Sequence, residues 1–441
     1  MLATDATLPN SLDAFWMPFT AHRAFRQARR MFVGAEGMYY RTDDGQKIMD
    51  GIAGLWCVNA GHGQPRIVEA IQQQAARLDF VSSFTMSHPA AFELASRLTA
   101  AAPDGIDHVF FTNSGSESVD TALKIARGYH RARGQAGRTK FIGRYKSYHG
   151  VNFGGLSVGG IARHKLDFGP LLPDVDHLSL PYDPKVSGFS QGQPAAGADY
   201  AEELARLIAL HDPSTIAAVI VEPVTGSGGV YPPPIGYLDR LRALCTEHGI
   251  LLIFDEVITG FGRTGPMFAS QRLEVTPDLI ACAKGMTNGA VPMGGVLASG
   301  AVFDAYMTRP SEQIELAHGY TYSAHPLGCA AALAVLDIYQ DGLLDQGAAV
   351  MPAWQELLHS LRGTKHVADI RTFGLLAGID LAPRDGAPGA RGAALNQACF
   401  EAGVLIRTAG DTVMLSPPLV ISRGEIETLV GTIGDALARV D

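Results

Sequence analysis

Two residues whose side chains could act together follow two short apolar segments of the chain. Asp255 comes directly after residues 251–254, and Lys284 comes directly after residues 279–283. Such segments are typical of strands buried on both faces of a parallel sheet, where ligands bind beyond the carboxyl ends of the strands. A carboxylate and an amine at that edge suit pyridoxal phosphate, with the lysine as Schiff-base partner and the aspartate against the ring nitrogen. Taken singly, Asp255 is more simply a helix cap and Lys284 a surface residue; the pair favours the cofactor site.

A candidate phosphate site lies between a strand pattern and a helical pattern. Its sequence, residues 112–118, is Thr-Asn-Ser-Gly-Ser-Glu-Ser. Free N–H groups, the positive end of the helix dipole and the hydroxyls of Ser114 and Ser116 would bind an anion, and Gly115 lets the backbone approach it closely. Ser114 with Glu117 also forms an ordinary capping box, and both interpretations can hold. The segment is neither a Walker loop nor a dinucleotide fingerprint, so a nucleotide cofactor has no support.

Three further polar candidates come with weaker patterns. Tyr148 follows a strand pattern and could stack on a cofactor ring, although a lone aromatic is more often packing. Glu222 ends the apolar segment 219–221, and Pro223 disfavours a helix there, which would hold the carboxylate at the rim of the sheet, facing the site. A surface carboxylate fits that pattern equally well. Residues 318–323 could supply a hydroxyl to a phosphate, but by themselves they are typical of a polar loop.

The composition is typical of a well-buried α/β enzyme. Of 441 residues, 47% are hydrophobic and 18% charged, which does not suit a disordered or fibrous chain. The net charge of −9 comes without long blocks of one sign, so neither nucleic acid nor a membrane is favoured as a partner. The N-terminus lacks the apolar core of a signal peptide, and the cysteines are widely spaced without a metal-binding pattern, so a cytoplasmic protein is predicted. These cysteines are Cys57, Cys245, Cys282, Cys329 and Cys399.

The order of the segments predicts an α/β fold, with a mainly parallel central sheet in a large domain and a smaller α/β lobe. Strand and helix patterns alternate from about residue 109, as in a parallel sheet covered on both faces. The strand patterns are 109–111, 140–143, 219–221, 251–254, 279–283 and 295–298, then 367–371, 376–381, 404–407 and 413–415 in the smaller lobe. The predicted units are an N-terminal segment joining the small lobe (1–60), a large cofactor-binding domain (61–325) and a C-terminal small domain (326–441).

Two other segments carry structural predictions. Residues 38–40 and 47–50 are alternating runs separated by Asp44 and Gly45, which predicts a β-hairpin. Residues 181–200 are rich in proline and glycine, which predicts an exposed loop.

With these residues in place, the chain resembles the class III aminotransferases of pyridoxal-phosphate fold type I. Within that family it is most similar to the ω-amino acid–pyruvate, or β-alanine–pyruvate, aminotransferases. The resemblance covers nearly the whole chain, through residues 16–20, 54–63, 111–117, 255–263, 283–285 and 319–323. Asp-Glu-Val at 255–257 with the lysine downstream is highly specific for class III; the amino donor is assigned less closely.

The resemblance implies roles around the cofactor, pyridoxal 5'-phosphate. Lys284 would be the Schiff-base lysine and the acid/base of the proton shift, and Asp255 would keep the ring nitrogen protonated. Val257 and Tyr148 would pack on the two faces of the ring. Glu222 would lie near the ring and Asp255.

The resemblance also implies a second subunit. Gly115 and Ser116 would hold the cofactor phosphate together with Thr321 of the partner subunit, so the site needs a homodimer. Pairing of dimers into a tetramer stays open.

For the substrate, the family pairs an arginine of the C-terminal lobe with a carboxylate, and Arg407 is the matching residue. The pattern supports this independently, because Arg407 closes an apolar run and a guanidinium fork suits a carboxylate. Phe19, Trp56 and Phe84 resemble the aromatic wall of the substrate pocket.

These features predict a transaminase that moves the amino group of an ω-amino acid to pyruvate, giving an aldehyde and L-alanine. Alternatives within enzymes are a 4-aminobutyrate, diamine or taurine transaminase, use of 2-oxoglutarate, or an intramolecular aminomutase. A cofactor-binding homologue without turnover is the alternative outside enzymes, and retention of Lys284, Asp255, Thr321 and Arg407 together counts against it. A nicotinamide oxidoreductase is disfavoured because the glycine fingerprint is missing.

Overall fold

The structure is a computed structural model that describes residues 11–441; residues 1–10, part of the predicted N-terminal segment, lie outside it. The strands are β1 Phe32–Glu36, β2 Tyr39–Thr42, β3 Lys47–Asp50, β4 Ile106–Thr112, β5 Lys140–Arg144, β6 Val175–Leu178, β7 Ile216–Val221, β8 Leu251–Asp255, β9 Leu279–Cys282, β10 Gly294–Ser299, β11 Val367–Phe373, β12 Leu376–Leu381, β13 Val404–Leu405, β14 Arg407–Ala409 and β15 Thr412–Leu415. The helices are α1 His22–Gln27, α2 Ala53–Trp56, α3 Pro65–Arg77, α4 Pro89–Ala101, α5 Gly115–Ala132, α6 Phe153–Val158, α7 Pro184–Ser187, α8 Glu202–His211, α9 Tyr237–His248, α10 Ala269–Arg272, α11 Gly300–Tyr306, α12 Pro326–Ile338, α13 Leu344–His359, α14 Ala390–Glu401 and α15 Arg423–Arg439.

The central sheet has the strand order β4-β10-β9-β8-β7-β5-β6. Strands β6, β5, β7, β8 and β9 are parallel to one another, and β10 runs antiparallel to both of its neighbours, β4 and β9. Every residue of β7, β8 and β9 is buried, because helices and loops cover both faces of the sheet. The predicted α/β class with a mainly parallel sheet is confirmed.

Strand β6 was missed in the sequence. Its residues are Val-Asp-His-Leu, and it forms the edge of the sheet beyond β5. A short edge strand with polar residues has no continuous apolar run, so the pattern that identified β7 to β9 does not apply to it.

The C-terminal part forms an antiparallel sheet in the order β11-β12-β15-β14. The predicted strand at 404–407 is wrong, because the chain divides it between two sheets. Strand β13 runs parallel to β3 in a sheet with β1 and β2, whereas β14 pairs with β15. Arg407 therefore opens β14 and does not close an apolar strand. The predicted hairpin is confirmed, since β2 and β3 are antiparallel neighbours.

The pairing of β13 with β3 places the N-terminal strands beside the C-terminal part. Helix α12, just after the predicted boundary at 325, packs against α3 and α4. The three predicted domain limits stay predictions.

The loop 181–200 is anchored to the C-terminal sheet, so the expectation of an exposed loop is only partly right. The Tyr182 hydroxyl and the backbone N–H of Phe189 both donate to Asp369, and Gln191 pairs with Thr372. A proline- and glycine-rich sequence predicts irregular backbone, but it does not reveal contacts with residues so distant in the chain.

The helical run Pro326–His359 is long and apolar enough, with a mean hydropathy of 1.4 over its most apolar 18 residues, to be compared with a membrane span. Ala331, Ala332, Val335 and Leu336 are fully buried in the core, in contact with the surrounding protein. The first half of this run is therefore a core helix of the fold.

Candidate active site

Four parallel strands bring their carboxyl ends to one edge of the central sheet. Asp255 is the last residue of β8, Glu222 directly follows β7, and Lys284 lies two positions after β9. Tyr148 lies in the segment after β5. The sequence predicted this common edge, because continuous apolar runs mark the strands and the polar residues mark where they end.

Asp255 is held by two hydrogen bonds that fix both of its carboxylate oxygens. His149 donates from Nδ1 to Oδ2 at 2.8 Å, and the backbone N–H of Val257 donates to Oδ1 at 3.1 Å. Asp255 and His149 are both buried. Within residues 11–441, the other ring nitrogen of His149, Nε2, has no hydrogen-bond partner. The only sequence signal for His149 is its position beside Tyr148, and that pattern does not distinguish a site histidine from a packed one.

Lys284 combines burial with a strained backbone. Its φ of +51° lies in the left-handed region, which is uncommon for a residue with a β-carbon and is found mainly where the surrounding structure enforces it. Burial lowers the pKa of Lys284 to about 8, against the opposing charges of Asp255, Cys57 and Glu222. About one tenth of this amine is thus neutral at pH 7, far more than for an ordinary lysine, and the neutral form is the one that acts as a nucleophile or a proton acceptor.

Glu222 is fully buried and both of its carboxylate oxygens accept backbone N–H groups. Tyr148 donates to Oε1 at 2.9 Å and Gly226 donates to Oε2 at 2.8 Å. Burial raises the pKa of Glu222. Because Glu222 is buried, it is not a surface carboxylate, the alternative interpretation that the sequence left open. The geometry also shows that Glu222 positions the backbone of Tyr148.

The start of α5 supplies the candidate anion site. The N–H of Glu117 donates to Ser114 Oγ at 3.2 Å, whereas the Glu117 carboxylate accepts from the N–H of Asn113 and not of Ser114. The capping box is therefore half formed, and the first N–H groups of this 18-residue helix lie at the sheet edge. A β-carbon on Gly115 would lie 2.8 Å from Val257 Cγ1, so only glycine lets the helix start approach the segment after β8. Ser116 Oγ accepts from the N–H of Val151 at 3.2 Å.

Trp56 lies beside two cations of the site. Lys284 Nζ is 5.4 Å from the centre of its ring, and Arg407 Cζ is 5.2 Å from it. Burial lowers the pKa of Arg407, and its Nε has no hydrogen-bond partner within residues 11–441. Arg407 is thus half-buried with spare donor capacity, as the recognition of an anionic group requires.

Phe19 reaches the same region through an intervening ring. It is 75% exposed, its ring centre lies 5.4 Å from that of His164, and His164 lies 5.6 Å from Tyr148. The structure therefore links Phe19 to Tyr148 through His164.

Phe84 and Thr321 lie together, apart from the residues just described. Both are exposed, and a β-carbon on Gly319 would lie 2.7 Å from Phe84 Cε1, so the ring rests on the loop that carries Thr321. Tyr320 fastens this loop to α5 by a hydrogen bond of 3.1 Å between its hydroxyl and that of Thr121. No described hydrogen bond or ring contact within residues 11–441 joins Phe84 or Thr321 to Lys284, Trp56 or Arg407.

The site combines a buried amine with a buried carboxylate that accepts two hydrogen bonds, both at the ends of parallel strands and beside a helix N-terminus. This combination defines a pyridoxal-phosphate enzyme of fold type I. The aminotransferase class-III family model matches residues 21–437, and the chain belongs to that family. The enzyme is a pyridoxal-phosphate-dependent transaminase.

Relatives and solved structures agree with this assignment. An omega-aminotransferase of Caulobacter vibrioides is 56% identical over 433 residues, covering 98% of this chain and 99% of the relative. A beta-alanine–pyruvate aminotransferase of Pseudomonas aeruginosa is 47% identical over an alignment that covers 97% of this chain and 96% of the relative. An amine transaminase from an uncultivated Pseudomonas species, solved with pyridoxal phosphate bound, superposes with a TM-score of 0.91 at 37% identity, covering 98% and 100% of the two chains.

Proposed function

We propose that the enzyme transfers the amino group of an ω-amino acid, such as β-alanine, to pyruvate in two successive half-reactions. The products are malonate semialdehyde, or a related aldehyde, and L-alanine. The observation that carries the proposal is the half-buried Arg407 with spare donors beside Trp56 and Lys284, because both substrates carry a carboxylate. The names of the relatives from Caulobacter vibrioides and Pseudomonas aeruginosa support the same donor class.

The residues at the sheet edge fit the cofactor. The helix start at Ser114, Gly115 and Ser116 offers N–H groups and hydroxyls to its phosphate, and the close contact of Gly115 with Val257 brings this anion site next to the segment after β8. When bound, pyridoxal phosphate supplies an electron sink for the negative charge that develops on the substrate carbon. Val257 and Tyr148 would flank the ring, and Glu222 acts by holding the backbone of Tyr148.

Asp255 and Lys284 divide the chemistry between them. The Asp255 carboxylate, oriented by His149, would lie against the ring nitrogen of the bound cofactor and keep it protonated. Lys284 would hold the cofactor through its amine, and the same amine, when free, would move the proton that the reaction shifts. Its lowered pKa suits both tasks, because the neutral amine is the reactive form.

We infer a homodimer whose sites lie at the subunit interface. Thr321 and Phe84 lie on an exposed aromatic surface that includes Phe80 and Tyr322, whose exposed fractions are 40% and 57%. An apolar surface of this kind favours association with another protein surface. Through it, Thr321 of the partner subunit would reach the cofactor phosphate and Phe84 of the partner subunit the substrate pocket. Tetramer formation and a cytoplasmic location stay predictions.

The lowered pKa of Lys284 predicts how covalent attachment of the cofactor depends on pH. Only the neutral amine attacks the cofactor aldehyde, so in cofactor-free protein the rate should rise with pH through about 8 and level off above it. Stopped-flow absorbance in the visible range measures this rate. Lys284→Ala is the control and should show no covalent phase. An inflection near the ordinary lysine value of about 10.4 would contradict the burial argument.

Arg407→Ala should lower the catalytic efficiency with carboxylate substrates and leave the rate with amines that lack a carboxylate unchanged. Loss of one charge-assisted, bidentate contact is expected to lower catalytic efficiency for β-alanine and for pyruvate by about 30- to 160-fold, or about 2–3 kcal/mol. A primary alkylamine without a carboxylate has no such contact to lose in its own half-reaction. Single-turnover rates with each donor give the comparison, and Arg423→Ala, on the exposed start of α15, is the matched surface control. Equal losses with both donors would show that Arg407 supports the fold or the cofactor.

A donor panel tests the proposed function itself. β-Alanine, 4-aminobutyrate, a diamine and taurine are each offered with pyruvate and with 2-oxoglutarate. The proposal predicts the highest efficiency for an ω-amino acid with pyruvate. A preference for a diamine, or for 2-oxoglutarate, would overturn it.

A further inference from the structure

The turn that carries Trp56 is strained. Ala53 has a φ of +48°, Gly54 of +68° and Trp56 of +58°, and the dihedral angles of Gly54 and Leu55 are not helical. Residues with a β-carbon rarely adopt positive φ, and such strain persists where surrounding contacts over-determine the backbone. Something must therefore hold residues 53–56 in this conformation.

The Asp50 carboxylate is the side chain that holds the start of this turn, beside the turn's own backbone hydrogen bonds. It is fully buried at the end of β3 and accepts three hydrogen bonds. The N–H of Ile52 donates to Oδ1 at 3.0 Å, the N–H of Gly54 donates to Oδ2 at 2.6 Å, and His62 Nε2 donates to the same oxygen at 2.8 Å. The ring of Tyr40 packs against the His62 imidazole with the ring centres 4.2 Å apart. One carboxylate thus links the start of the strained turn, at Ile52 and Gly54, to a packed histidine.

This turn determines where the Trp56 ring lies. The indole is 2% exposed, and the guanidinium of Arg407 and the amine of Lys284 both lie within 6 Å of its centre. A cation beside an aromatic ring is attracted by the ring's quadrupole, and the attraction depends on where the ring sits. The guanidinium of Arg407 contacts the Trp56 ring, and its Nε has no hydrogen-bond partner within residues 11–441.

We propose that Asp50 is a positioning residue for carboxylate recognition, acting through the Trp56 ring on Arg407. The proposal rests on the proposed function, because it takes Arg407 to be the group that binds the substrate carboxylate. The role needs a carboxylate, not merely a polar group of the same shape. An amide at position 50 keeps one acceptor oxygen, but its NH₂ would face a backbone N–H or the donating imidazole.

The test is Asp50→Asn in the holoenzyme. KM for pyruvate and for β-alanine should rise about three- to tenfold, the range expected from a displaced cation–π contact, whereas the half-reaction with a primary alkylamine should change less than about twofold. The visible absorption of the bound cofactor should not change. An equal loss with all donors would mean that Asp50 only supports the fold, and this would overturn the proposal. Unchanged KM values would overturn it as well.

The double variant Asp50→Asn/Arg407→Ala separates this proposal from the proposed function. If Asp50 acts through Arg407, the double variant should be no worse for carboxylates than Arg407→Ala alone, since residues that act as a unit are not additive. Additive losses would overturn the positioning role. If Arg407→Ala alone leaves the catalytic efficiency with carboxylate substrates unchanged, that result contradicts the proposed function, independently of the role of Asp50.

A second variant keeps the proposal testable if Asp50→Asn does not fold. His62→Phe removes one of the three donors to Asp50 and keeps an aromatic ring against Tyr40. It should give the same selective rise in KM for carboxylate substrates at a smaller amplitude. A loss that is equal for carboxylate and alkylamine donors would overturn the proposal.

Discussion

Lys284→Ala is expected to abolish turnover and to leave cofactor binding largely intact. The start of α5 and Val257, which we propose to hold the phosphate and the ring, are unchanged in this variant, but no amine remains to bind the cofactor covalently or to move the proton. The expected loss in kcat is about 10⁴-fold or more, at or beyond the upper end of what one positioned acid/base contributes.

Steady-state rates together with the cofactor content of the purified variant measure this effect. Lys124→Ala is the matched control, because Lys124 lies exposed on α5 and has no part in the proposed site. A Lys284→Ala enzyme that retains more than a few per cent of activity would assign the reactive amine elsewhere.

Asp255→Asn is expected to bind the cofactor and to react far more slowly. The neutral amide keeps the shape of the side chain but cannot hold a proton on the ring nitrogen, so charge on the substrate carbon is less well stabilised. An electrostatic effect of this kind is worth on the order of 3 kcal/mol or more, which corresponds to about 160-fold in rate.

Single-turnover rates and the absorption spectrum of the bound cofactor measure the two parts of this prediction. Asp304→Asn makes the same chemical change on the exposed side of α11 and should leave both unchanged. Near-normal rates in Asp255→Asn would reduce Asp255 to the cap of the following turn, the role suggested by its bond to the N–H of Val257.

The edge of the sheet could be predicted because its strands are buried on both faces. Continuous apolar runs identify β7, β8 and β9, and the first polar residue after each run marks the strand end where ligands bind. Asp255, Glu222 and Lys284 were found in this way. Strand β6 has no such run because it is an edge strand.

Other features depend on contacts that the sequence does not display. His149 becomes a candidate only once its Nδ1 is seen 2.8 Å from Asp255, and Asp50 only once its three donors are seen. The division of 404–407 between two sheets depends on pairing with β3 and β15, which are far away in the chain. Hydrophobic periodicity reports burial along one segment; it does not report the partner strand.

Phe84 came from the resemblance alone, and Thr321 came from it together with the weak hydroxyl signal of residues 318–323. Periodicity gave no signal for either residue, because both are exposed in the single chain and lie beside each other on the loop surface near Gly319. Their proposed role depends on a second subunit, whose placement a single sequence pattern does not encode.

Borohydride reduction of the holoenzyme, followed by peptide mapping, tests the central claim that Lys284 is the lysine bound to the cofactor. Reduction makes the bond between the lysine amine and the cofactor permanent, so mass spectrometry of the peptides identifies the residue directly. The account predicts one modified peptide, with the adduct on Lys284. An adduct on Lys124, Lys140 or Lys146 would contradict it.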